Sequence, residues 1–366
     1  MKKKIMLVFG TRPDAVKMCP LAAEMKKRDA FETLVCVTGQ HREMLASVLD
    51  TFGIVPDYDL AVMQPRQTLF DITTRVLTGM RDVLEQASPD LVLVHGDTST
   101  AFASALAAFY LKIPVGHVEA GLRTEDISSP FPEEMNRRGV GILADLHFAP
   151  TQTSRSNLLA EGKDDATIFV TGNTVIDALA TTVREDYRLP EQVHPQRRLI
   201  FMTAHRRENL GEPMVRICHA VRRIVRQFED VEILWPVHPN PAVREPVFDI
   251  LGDCPRVILT DPVDVLDCHN LMARAYMIMT DSGGLQEEAP ALGKPVLVLR
   301  DSTERPEGVE AGTLWPVGTD EDAIVQAATS LLTDSQVYTR MARAKNPYGD
   351  GTASRQIADI LERWSR

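Results

Sequence analysis

Two glycines followed by two acids stand in residues 280–290, TDSGGLQEEAP, directly after the apolar run 276–279. This pattern is typical of a strand that leads into a helix. If Ser282 occupies the N-cap, the backbone amides of Gly283 and Gly284 are exposed at the helix N-terminus. Such amides bind anions, and glycine lets a ligand approach the backbone closely. The turn therefore predicts a phosphate site.

Two carboxylates follow this turn within the same predicted helix, and a carboxylate does not bind a phosphate because both are anionic acceptors. Glu287 and Glu288 lie later in the helix and project sideways. A carboxylate that points away from the phosphate can accept hydrogen bonds from two sugar hydroxyls. A phosphate beside a ribose indicates a nucleotide. The alternative is that both acids only stabilise the helix start through its dipole.

Three further acids follow successive connections of one predicted sheet. Burial at a strand end is expected to raise the pKa of Glu119 and to suit it to proton transfer. Asp97 has a second explanation, because it is a good N-cap for a helix that begins at Thr98. Glu133 and Glu134, in FPEEMNRR, are also explained by the helix dipole. Taken together, Asp97, Glu119 and Glu133 indicate acid–base chemistry.

Basic residues follow other strands. Arg12 and Lys17 lie after the first strand, although a solvated Lys17 and an Arg12 that caps a carbonyl are equally good explanations. His205 ends the first strand of the second half and is followed by two arginines. His205, the two arginines after it and Arg305 indicate a cationic cluster for a diphosphate; the alternative is an exposed loop with ion pairs. The chain has no G-x-G-x-x-G or G-x-x-x-x-G-K-[ST] motif, which disfavours a dinucleotide or a nucleoside-triphosphate loop.

The elements that position these residues alternate between short apolar strands and longer helical segments. Uniformly apolar strands between helices indicate parallel sheets that are covered on both faces. Ligands of such sheets bind beyond the carboxyl ends of the strands. Strands are predicted at 5–9, 33–37, 91–95, 115–118, 146–149, 168–171, 199–203, 232–236, 257–259, 276–280 and 296–299, and helices include 15–27, 42–52, 68–86 and 98–110.

A polar segment with two prolines, at 189–198, divides the chain, and the second half restarts as the first does. We expect an α/β protein with two doubly wound, Rossmann-like domains that face a cleft. The expected bounds are 1–188 for the first domain, 189–198 for the linker and 199–348 for the second domain. A C-terminal helix at 349–366 is expected to pack back on the first domain.

Composition excludes several classes of protein. The 366 residues carry a net charge of −11, from 40 basic and 51 acidic residues, which disfavours nucleic acid and anionic membranes as partners. The five cysteines include no Cys-x-x-Cys pair, so we expect a cytoplasmic protein without a disulfide framework or a metal site. The apolar run after the N-terminal lysines is too short for a signal peptide, and no apolar stretch approaches the ~20 residues of a membrane span.

Motifs along essentially the whole chain resemble the non-hydrolysing UDP-N-acetylglucosamine 2-epimerases of bacteria. The resemblance implies a glycosyltransferase-B-like fold and a homodimer, with UDP-GlcNAc and UDP-ManNAc as ligands and no cofactor. It implies reversible epimerisation at C2, through elimination of UDP to a bound 2-acetamidoglucal and readdition, to supply ManNAc-type sugars for cell-surface polysaccharide. The motifs are FGTRPDAVKMCPL, TGQHREML, HGDTST, HVEAGLRT, PFPEEMNRR, TGNTVIDAL, TAHRREN, DSGGLQEEAPALGKPVLVLRDSTERPE and NPYGDG.

The resemblance also implies roles for individual residues. Four are matched to catalytic positions, seven to substrate-binding positions, and four to a second, activating UDP-GlcNAc site that only some members have. The catalytic positions are Asp97, Glu119, Glu133 and His205; the substrate-binding positions are Arg12, Lys17, Ser282, Gly283, Gly284, Glu288 and Arg305; the activator positions are Gln40, Glu43, Arg66 and Gln67.

One segment, 261–272, departs from the family pattern. Val265 and Cys268 stand where relatives carry aromatic residues near the uracil, and Val263 replaces a polar contact. Recognition of the uracil is therefore expected to rest on backbone groups.

Three other functions compete with epimerisation. A glycosyltransferase of the same fold would need an acceptor but not so many carboxylates around the sugar. A hydrolysing epimerase would release free ManNAc and UDP. A nucleotide-sugar sensor would bind its ligand without exchange of the C2 proton, and the full set of carboxylates argues against it.

Overall fold

The apolar runs form two parallel sheets, each in its own part of the chain. The computed structural model describes residues 2–39, 42–64, 66–124 and 126–365, and of residues 42–44 it describes the backbone only. The chain divides into one unit of Met1–Thr181 with Tyr348–Arg366, and a second of Thr182–Pro347. The segment 189–198, expected as the linker, lies within the second unit.

The sheet of the first unit has seven strands. In chain order they are β1 (Lys3–Phe9), β2 (Phe31–Val37), β3 (Tyr58–Asp59), β4 (Leu91–His95), β5 (Val115–Val118), β6 (Leu146–Ala149) and β7 (Ile168–Val170). They pair in parallel in the order β3-β2-β1-β4-β5-β6-β7. The strand order reverses at the β1–β4 pair, which is the switch point where doubly wound sheets bind ligands.

The second unit repeats this arrangement with six strands. They are β8 (Arg198–Thr203), β9 (Val231–Pro236), β10 (Val257–Thr260), β11 (Met277–Thr280), β12 (Val296–Val298) and β13 (Leu314–Pro316). The parallel order is β10-β9-β8-β11-β12-β13, so the switch point lies at the β8–β11 pair. The expected α/β class with two doubly wound sheets is confirmed.

Helices cover both sheets. Central strands such as β4 are therefore buried along their whole length. Two 3-10 turns accompany them, at Asp165–Thr167 and Arg207–Asn209. The α-helices are α1 (Arg12–Lys26), α2 (Arg42–Phe52), α3 (Leu69–Ala87), α4 (Ser99–Tyr110), α5 (Glu133–Leu143), α6 (Gln152–Ala160), α7 (Thr174–Thr182), α8 (Glu212–Gln227), α9 (Pro241–Leu251), α10 (Val265–Arg274), α11 (Gly283–Ala291), α12 (Pro306–Glu310), α13 (Glu321–Thr333), α14 (Ser335–Ala342) and α15 (Ala353–Arg363).

The last helix, α15, packs against α1 in the first unit. Asp177 caps its N-terminus by accepting hydrogen bonds from the backbone N–H of Ala353 and Ser354, at 3.2 and 2.7 Å. Arg28 Nη1 lies 2.6 Å from Asp359 on the same helix. Among the described residues, no helix combines the length and apolarity that a bilayer span requires.

Local sequence starts helices directly beyond the strand ends. Thr11 and Asp14 form a capping box at the start of α1, in which Thr11 Oγ1 accepts from the Asp14 N–H at 3.3 Å. Thr98 Oγ1 accepts from the Ala101 N–H at 3.2 Å at the start of α4. These caps hold the strand-to-helix connections of β1 and β4 side by side at the switch point, where the side chains of both connections meet.

Candidate active site

Glu119 is the centre of a buried ionic cluster beyond the carboxyl ends of β1, β4 and β5. It directly follows β5 with a left-handed backbone, φ +63°, and its side chain is 8% exposed. Lys17, from α1, forms an ion pair with Glu119 Oε2. Asn173, which follows β7, donates from Nδ2 to the same oxygen at 2.7 Å. Two segments far apart in sequence thus hold the carboxylate of Glu119.

The electrostatic environment of Glu119 differs from the expected one. Burial by itself raises the pKa of this carboxyl, as the sequence analysis assumed, but Lys17 and His95 reverse the effect and hold the pKa well below its usual range. The expectation of a raised pKa is therefore wrong. Glu119 is ionised at neutral pH and is ready to accept a proton.

His95 ends β4 and was not recognised as a site residue from the sequence. Its side chain is 4% exposed, with Nδ1 3.4 Å from Asp14 Oδ1 and Nε2 3.7 Å from Glu119 Oε2. These are ion-pair separations, and neither ring nitrogen makes a hydrogen bond of good geometry within the described chain. The sequence signal for His95 is the histidine of HGDTST, which stands at the end of a predicted strand.

Asp97 lies two residues beyond β4 and pairs with Arg137 of α5. Asn136, also on α5, donates from Nδ2 to the Asp97 carbonyl at 2.9 Å. Burial raises the pKa of Asp97, with Arg137 opposing and the neighbouring charge of Glu119 adding to the rise. The alternative role as N-cap of α4 is wrong, because Thr98 is the N-cap and Asp97 precedes it.

The two acids at the start of α5 have different environments. Glu134 is fully buried and accepts from Arg138 Nε at 2.7 Å and from the Thr124 N–H at 3.1 Å, so it holds the preceding loop. Glu133 is partly exposed and forms no ion pair with a described residue. Of the pair, Glu133 is the one whose carboxylate is available to a ligand.

Arg12 is the first residue of α1 and is partly exposed. Its guanidinium makes no hydrogen bond or ion pair in the described part of the chain, so the suggested carbonyl cap is not formed. The other suggested alternative, a solvated Lys17, is also wrong, since Lys17 is bound to Glu119 and its side chain is 18% exposed.

In the second unit, Asp281 organises the connections that follow β8 and β11. Its buried Oδ2 accepts from the backbone N–H of His205 and Arg206, at 2.7 and 2.8 Å, and from Asn209 Nδ2 at 2.9 Å. The residue follows β11 in TDSGG and was not assigned a role from the sequence. Its hydrogen bonds fix the His205 loop beside the glycine turn.

The ring of His205 stacks on that of His238, with ring centres 5.4 Å apart and planes 7° from parallel. Burial lowers the pKa of His205, Asp281 opposes this, and His238 and Arg206 lower it further. His205 is therefore neutral at neutral pH. It can donate a hydrogen bond to an anion, but the cationic cluster predicted from the sequence depends on its arginines.

The glycine turn forms the start of α11. Ser282 occupies the N-cap position, as predicted, but its hydroxyl accepts no hydrogen bond from the helix. A Cβ placed on Gly283 would lie 3.6 Å from Arg305 Nη2 and 3.8 Å from Arg206 Nη2. Two guanidinium groups thus lie close to the first turn of the helix, where its N–H groups and its dipole favour an anion.

The two carboxylates of α11 point to different partners. Glu287 is 3% exposed and forms an ion pair with Arg305 Nε. Glu288 Oε2 lies 3.2 Å from Nε2 of the buried His269 on α10. Glu287 therefore fixes an arginine beside the glycine turn, while Glu288 keeps acceptor capacity for another ligand.

Of the residues matched to an activator site, Arg66 and Gln67 lie in the loop before α3. Arg66 is exposed with a left-handed backbone, φ +59°. Gln67 Oε1 accepts from the Gln64 N–H at 3.0 Å, so its amide closes its own loop. Gln40 and the side chain of Glu43 lie outside the described residues.

Of the positions that depart from the family pattern, Val263 and Cys268 pack against the apolar core of the second unit. Val265 is the first residue of α10 and follows the N-cap Asp264. No cluster of three or more His, Cys, Asp or Glu side chains suited to a metal ion occurs among the described residues.

Comparison with known proteins gives one consistent family. The family model described as UDP-N-acetylglucosamine 2-epimerase matches residues 23–362. The UDP-N-acetylglucosamine 2-epimerase of Bacillus subtilis is 58% identical over 98% of this chain and 95% of its own. The enzyme of the same name from Escherichia coli K12 is 54% identical over 98% of both chains.

A solved structure agrees with these relatives. The crystal structure of the UDP-GlcNAc 2-epimerase from Neisseria meningitidis bound to UDP-GlcNAc is 46% identical, with a TM-score of 0.88 over 98% of this chain and 99% of that one. A family model that matches nearly the whole chain and relatives that are more than half identical lead to one conclusion: the chain belongs to the UDP-N-acetylglucosamine 2-epimerase family.

Proposed function

We propose that this protein interconverts UDP-N-acetylglucosamine and UDP-N-acetylmannosamine by moving a proton at C2 of the sugar, without hydrolysis. The observation that carries the proposal is a pair of neighbouring carboxyls whose environments differ. The pKa of Glu119 is held below its usual range by Lys17 and His95, whereas burial raises that of Asp97. Such a pair supplies a base and an acid at the same pH.

The chemistry then has two halves. Glu119, as a carboxylate, takes the C2 proton; the C–H electrons form the C1–C2 double bond, and UDP leaves C1 with the electron pair of the C1–O bond. UDP returns to C1 of the bound 2-acetamidoglucal, while an acid delivers a proton to the opposite face of C2. We assign this acid to Asp97, because it retains a proton more readily than Glu119.

Two partly exposed groups of the first unit complete the set. Glu133 has no ion-pair partner among the described residues, and we propose that it accepts a hydrogen bond from the sugar. The guanidinium of Arg12 makes no hydrogen bond or ion pair with a described residue, and we propose that it neutralises charge on the substrate. Lys17 remains with Glu119 and sets its charge.

The groups of the second unit suit the UDP part of the substrate. Charge develops on the β-phosphate as the C1–O bond breaks, and fixed donors stabilise that charge. We propose that the amides of Gly283 and Gly284, the guanidinium groups of Arg206 and Arg305 and a hydrogen bond from neutral His205 supply this stabilisation. Glu288 accepts from the ribose hydroxyls. The product would be a source of ManNAc-type units for cell-surface polysaccharide.

NMR of UDP-GlcNAc incubated with the protein in heavy water tests the proposal. We expect a mixture with UDP-ManNAc that carries solvent deuterium at C2, with no NAD and no acceptor added. Epimerisation with retention of the original C2 hydrogen would overturn the elimination scheme. Free ManNAc with UDP would identify a hydrolysing enzyme, and binding without C2 exchange would identify a sensor.

A further inference from the structure

His95 is a buried imidazole that the reaction scheme above does not use directly. Both of its ring nitrogens face carboxylates: Nδ1 is 3.4 Å from Asp14 and Nε2 is 3.7 Å from Glu119. All three side chains are at least nine-tenths buried. Within the described chain, neither nitrogen has a hydrogen-bonding partner that would compete with these two acids.

A neutral imidazole does not satisfy this arrangement. It carries one N–H, so its other nitrogen presents a lone pair, and that lone pair would face a carboxylate oxygen in a buried site. The mismatch would leave two buried acceptors opposite each other, which is costly. Either His95 carries two protons or one of the two acids is protonated.

The contacts of the two acids decide between these options. Asp14 Oδ2 accepts from the Thr11 N–H and from Thr98 Oγ1, each at 3.4 Å. Glu119 Oε2 accepts from Lys17 and from Asn173 Nδ2. Both acids are thus surrounded by donors, as ionised carboxylates are. The additional proton belongs to His95.

The charges of the cluster balance on this assignment. Two carboxylates, Asp14 and Glu119, face two cations, Lys17 and His95. Burial alone lowers the pKa of His95, but Glu119 and Asp14 raise it to about 9 against the smaller opposing effect of Lys17.

Two other titratable groups lie near this cluster and leave its balance unchanged. Asp97, the proposed acid, contacts Arg137, and Arg137 also lies 3.5 Å from the buried carboxylate of Glu134, so the charge of Arg137 is compensated even when Asp97 holds a proton. The neighbouring His117 on β5 contributes no charge, because burial lowers its pKa to about 3. The net charge at His95 is therefore set by Asp14, Lys17 and Glu119.

We propose that His95 is a positioning residue that remains protonated between Asp14 and Glu119 and thereby keeps Glu119 in the carboxylate form that takes the C2 proton. The proposal deepens the proposed function and rests on it for the role of Glu119. It also gives His95 a part in the reverse step. Once Glu119 is protonated, it is a neutral acid beside two cations, a state that favours release of the proton.

The protonation state is measurable without turnover. In protein labelled with nitrogen-15 at histidine, NMR of the ring nitrogens reports whether one or both are protonated, and comparison with His95→Gln assigns the His95 signals among the nine histidines. We expect both nitrogens of His95 to carry protons at pH 7.5 and to lose the additional proton only near pH 9. A single-proton tautomer at pH 7.5 would overturn the proposal, whatever the enzyme's activity.

The pH dependence of C2 deuterium exchange tests the consequence for Glu119. His95→Gln keeps a donor and removes the charge, so the acidic limb of kcat/KM should move upward by about one pH unit or more. His194→Gln makes the same change at an exposed histidine and should leave the profile in place. A lower rate with an unmoved acidic limb would assign His95 to packing alone and overturn the proposal.

A second variant covers the case in which His95→Gln does not fold. Asp14→Asn keeps the oxygen that accepts at the start of α1 and removes one of the two carboxylates facing His95. The NMR titration of His95 should then shift to lower pH. An unchanged titration would contradict the charge balance. Absence of epimerisation by the wild-type protein would instead reject the proposed function, with the NMR result unaffected.

Discussion

His269 and Glu288 form a buried pair in which Nε2 of the imidazole lies 3.2 Å from Oε2 of the carboxylate. The other ring nitrogen, Nδ1, lies 2.6 Å from Thr182 Oγ1. Since the hydroxyl can donate to Nδ1, a neutral ring can donate from Nε2 to Glu288. The carboxylate is thus held in one orientation, whereas the adjacent Glu287 is bound to Arg305.

Glu288→Gln should weaken UDP binding by roughly 1.5–3 kcal/mol, the scale of hydrogen bonds to a charged group. The same change should matter much less for 2′,3′-dideoxy-UDP, which has no ribose hydroxyls to offer. Calorimetric titration of wild type and variant with both nucleotides measures the difference. Glu287→Gln is the matched control: it disturbs Arg305, so its effect should be the same for both ligands. Equal losses for both nucleotides in Glu288→Gln would mean that Glu288 serves the helix.

Glu119→Gln should reduce turnover by at least ~100-fold while the protein remains folded, because the amide has the same shape and cannot take a proton. Steady-state rates of C2 exchange and circular dichroism measure the two properties. Glu134→Gln is the contrasting variant. Its buried carboxylate holds Arg138 and Thr124, so we expect a loss of roughly 1–3 kcal/mol of stability with catalysis largely retained. Turnover near the wild-type rate in Glu119→Gln would move the base elsewhere.

Two neighbouring residues have different proposed roles: Asp97 acts in catalysis and Thr98 caps α4. Thr98→Ala removes the side-chain cap of α4 and should cost about 1 kcal/mol of stability. Asp97→Asn leaves this cap intact, so its main effect should be a large loss of turnover. Urea unfolding and exchange rates of the two variants test this division. A stability loss confined to Asp97→Asn would return the capping role to that residue.

The strand pattern predicted that the candidate residues share one edge of the sheet, but it did not predict the electrostatics of that edge. Parallel strands end at one edge of a sheet, so apolar runs were sufficient to bring Lys17, Asp97 and Glu119 to that edge. The pKa of Glu119 depends on contacts with residues far along the chain, such as Asn173, and no local pattern predicts those. The short edge strands β3 and β13, of two and three residues, were missed because so few residues carry no periodicity.

Neighbouring acids were the hardest to separate. Glu287 and Glu288 have the same chemistry and adjacent positions, and only the partners supplied by α10 and by Arg305 distinguish them. Glu133 and Glu134 divide in the same way, because one turn of α5 buries Glu134 against Arg138 and leaves Glu133 partly exposed.

Arg66 supplies a test of the activator site that the resemblance predicts. Its side chain is exposed, so its removal should leave folding intact. If the site operates, UDP-ManNAc alone should react slowly until a little UDP-GlcNAc is added, and Arg66→Ala should abolish this activation. Progress curves from both substrates measure the effect. Full activity on UDP-ManNAc from the start would show that this chain needs no activator.

The lowered pKa values of two buried histidines determine how the free energy of unfolding should depend on pH. His117 on β5 and His147 on β6 are direct partners in the sheet, and both are almost completely buried. Burial lowers the pKa of His117 to about 3 and that of His147 to about 4. For His147, Lys163 and Arg123 lower the pKa further, and Glu161 opposes them.

These shifts fix the sign of the effect. Above the ordinary histidine pKa of about 6.5 both states of the protein hold neutral rings, so the stability is fully present. As the pH falls below that value, the unfolded chain binds protons that the folded protein does not, and stability is lost until the pH passes the folded values.

His147→Leu should reduce this loss of stability in acid. At pH 7.5 the free energy of unfolding of the variant should lie within about 1 kcal/mol of that of wild type. The substitution removes a buried ring nitrogen, Nδ1, that has no partner in the described structure. Between pH 7.5 and pH 5 wild type should lose about 1–2 kcal/mol more than the variant, since each unit of pKa shift corresponds to about 1.4 kcal/mol. Urea unfolding at the two pH values measures this difference. His194→Leu, at an exposed histidine, should keep the wild-type dependence on pH. If His147→Leu and wild type lose the same stability on acidification, the ring of His147 is protonated in the folded protein and burial does not hold it neutral.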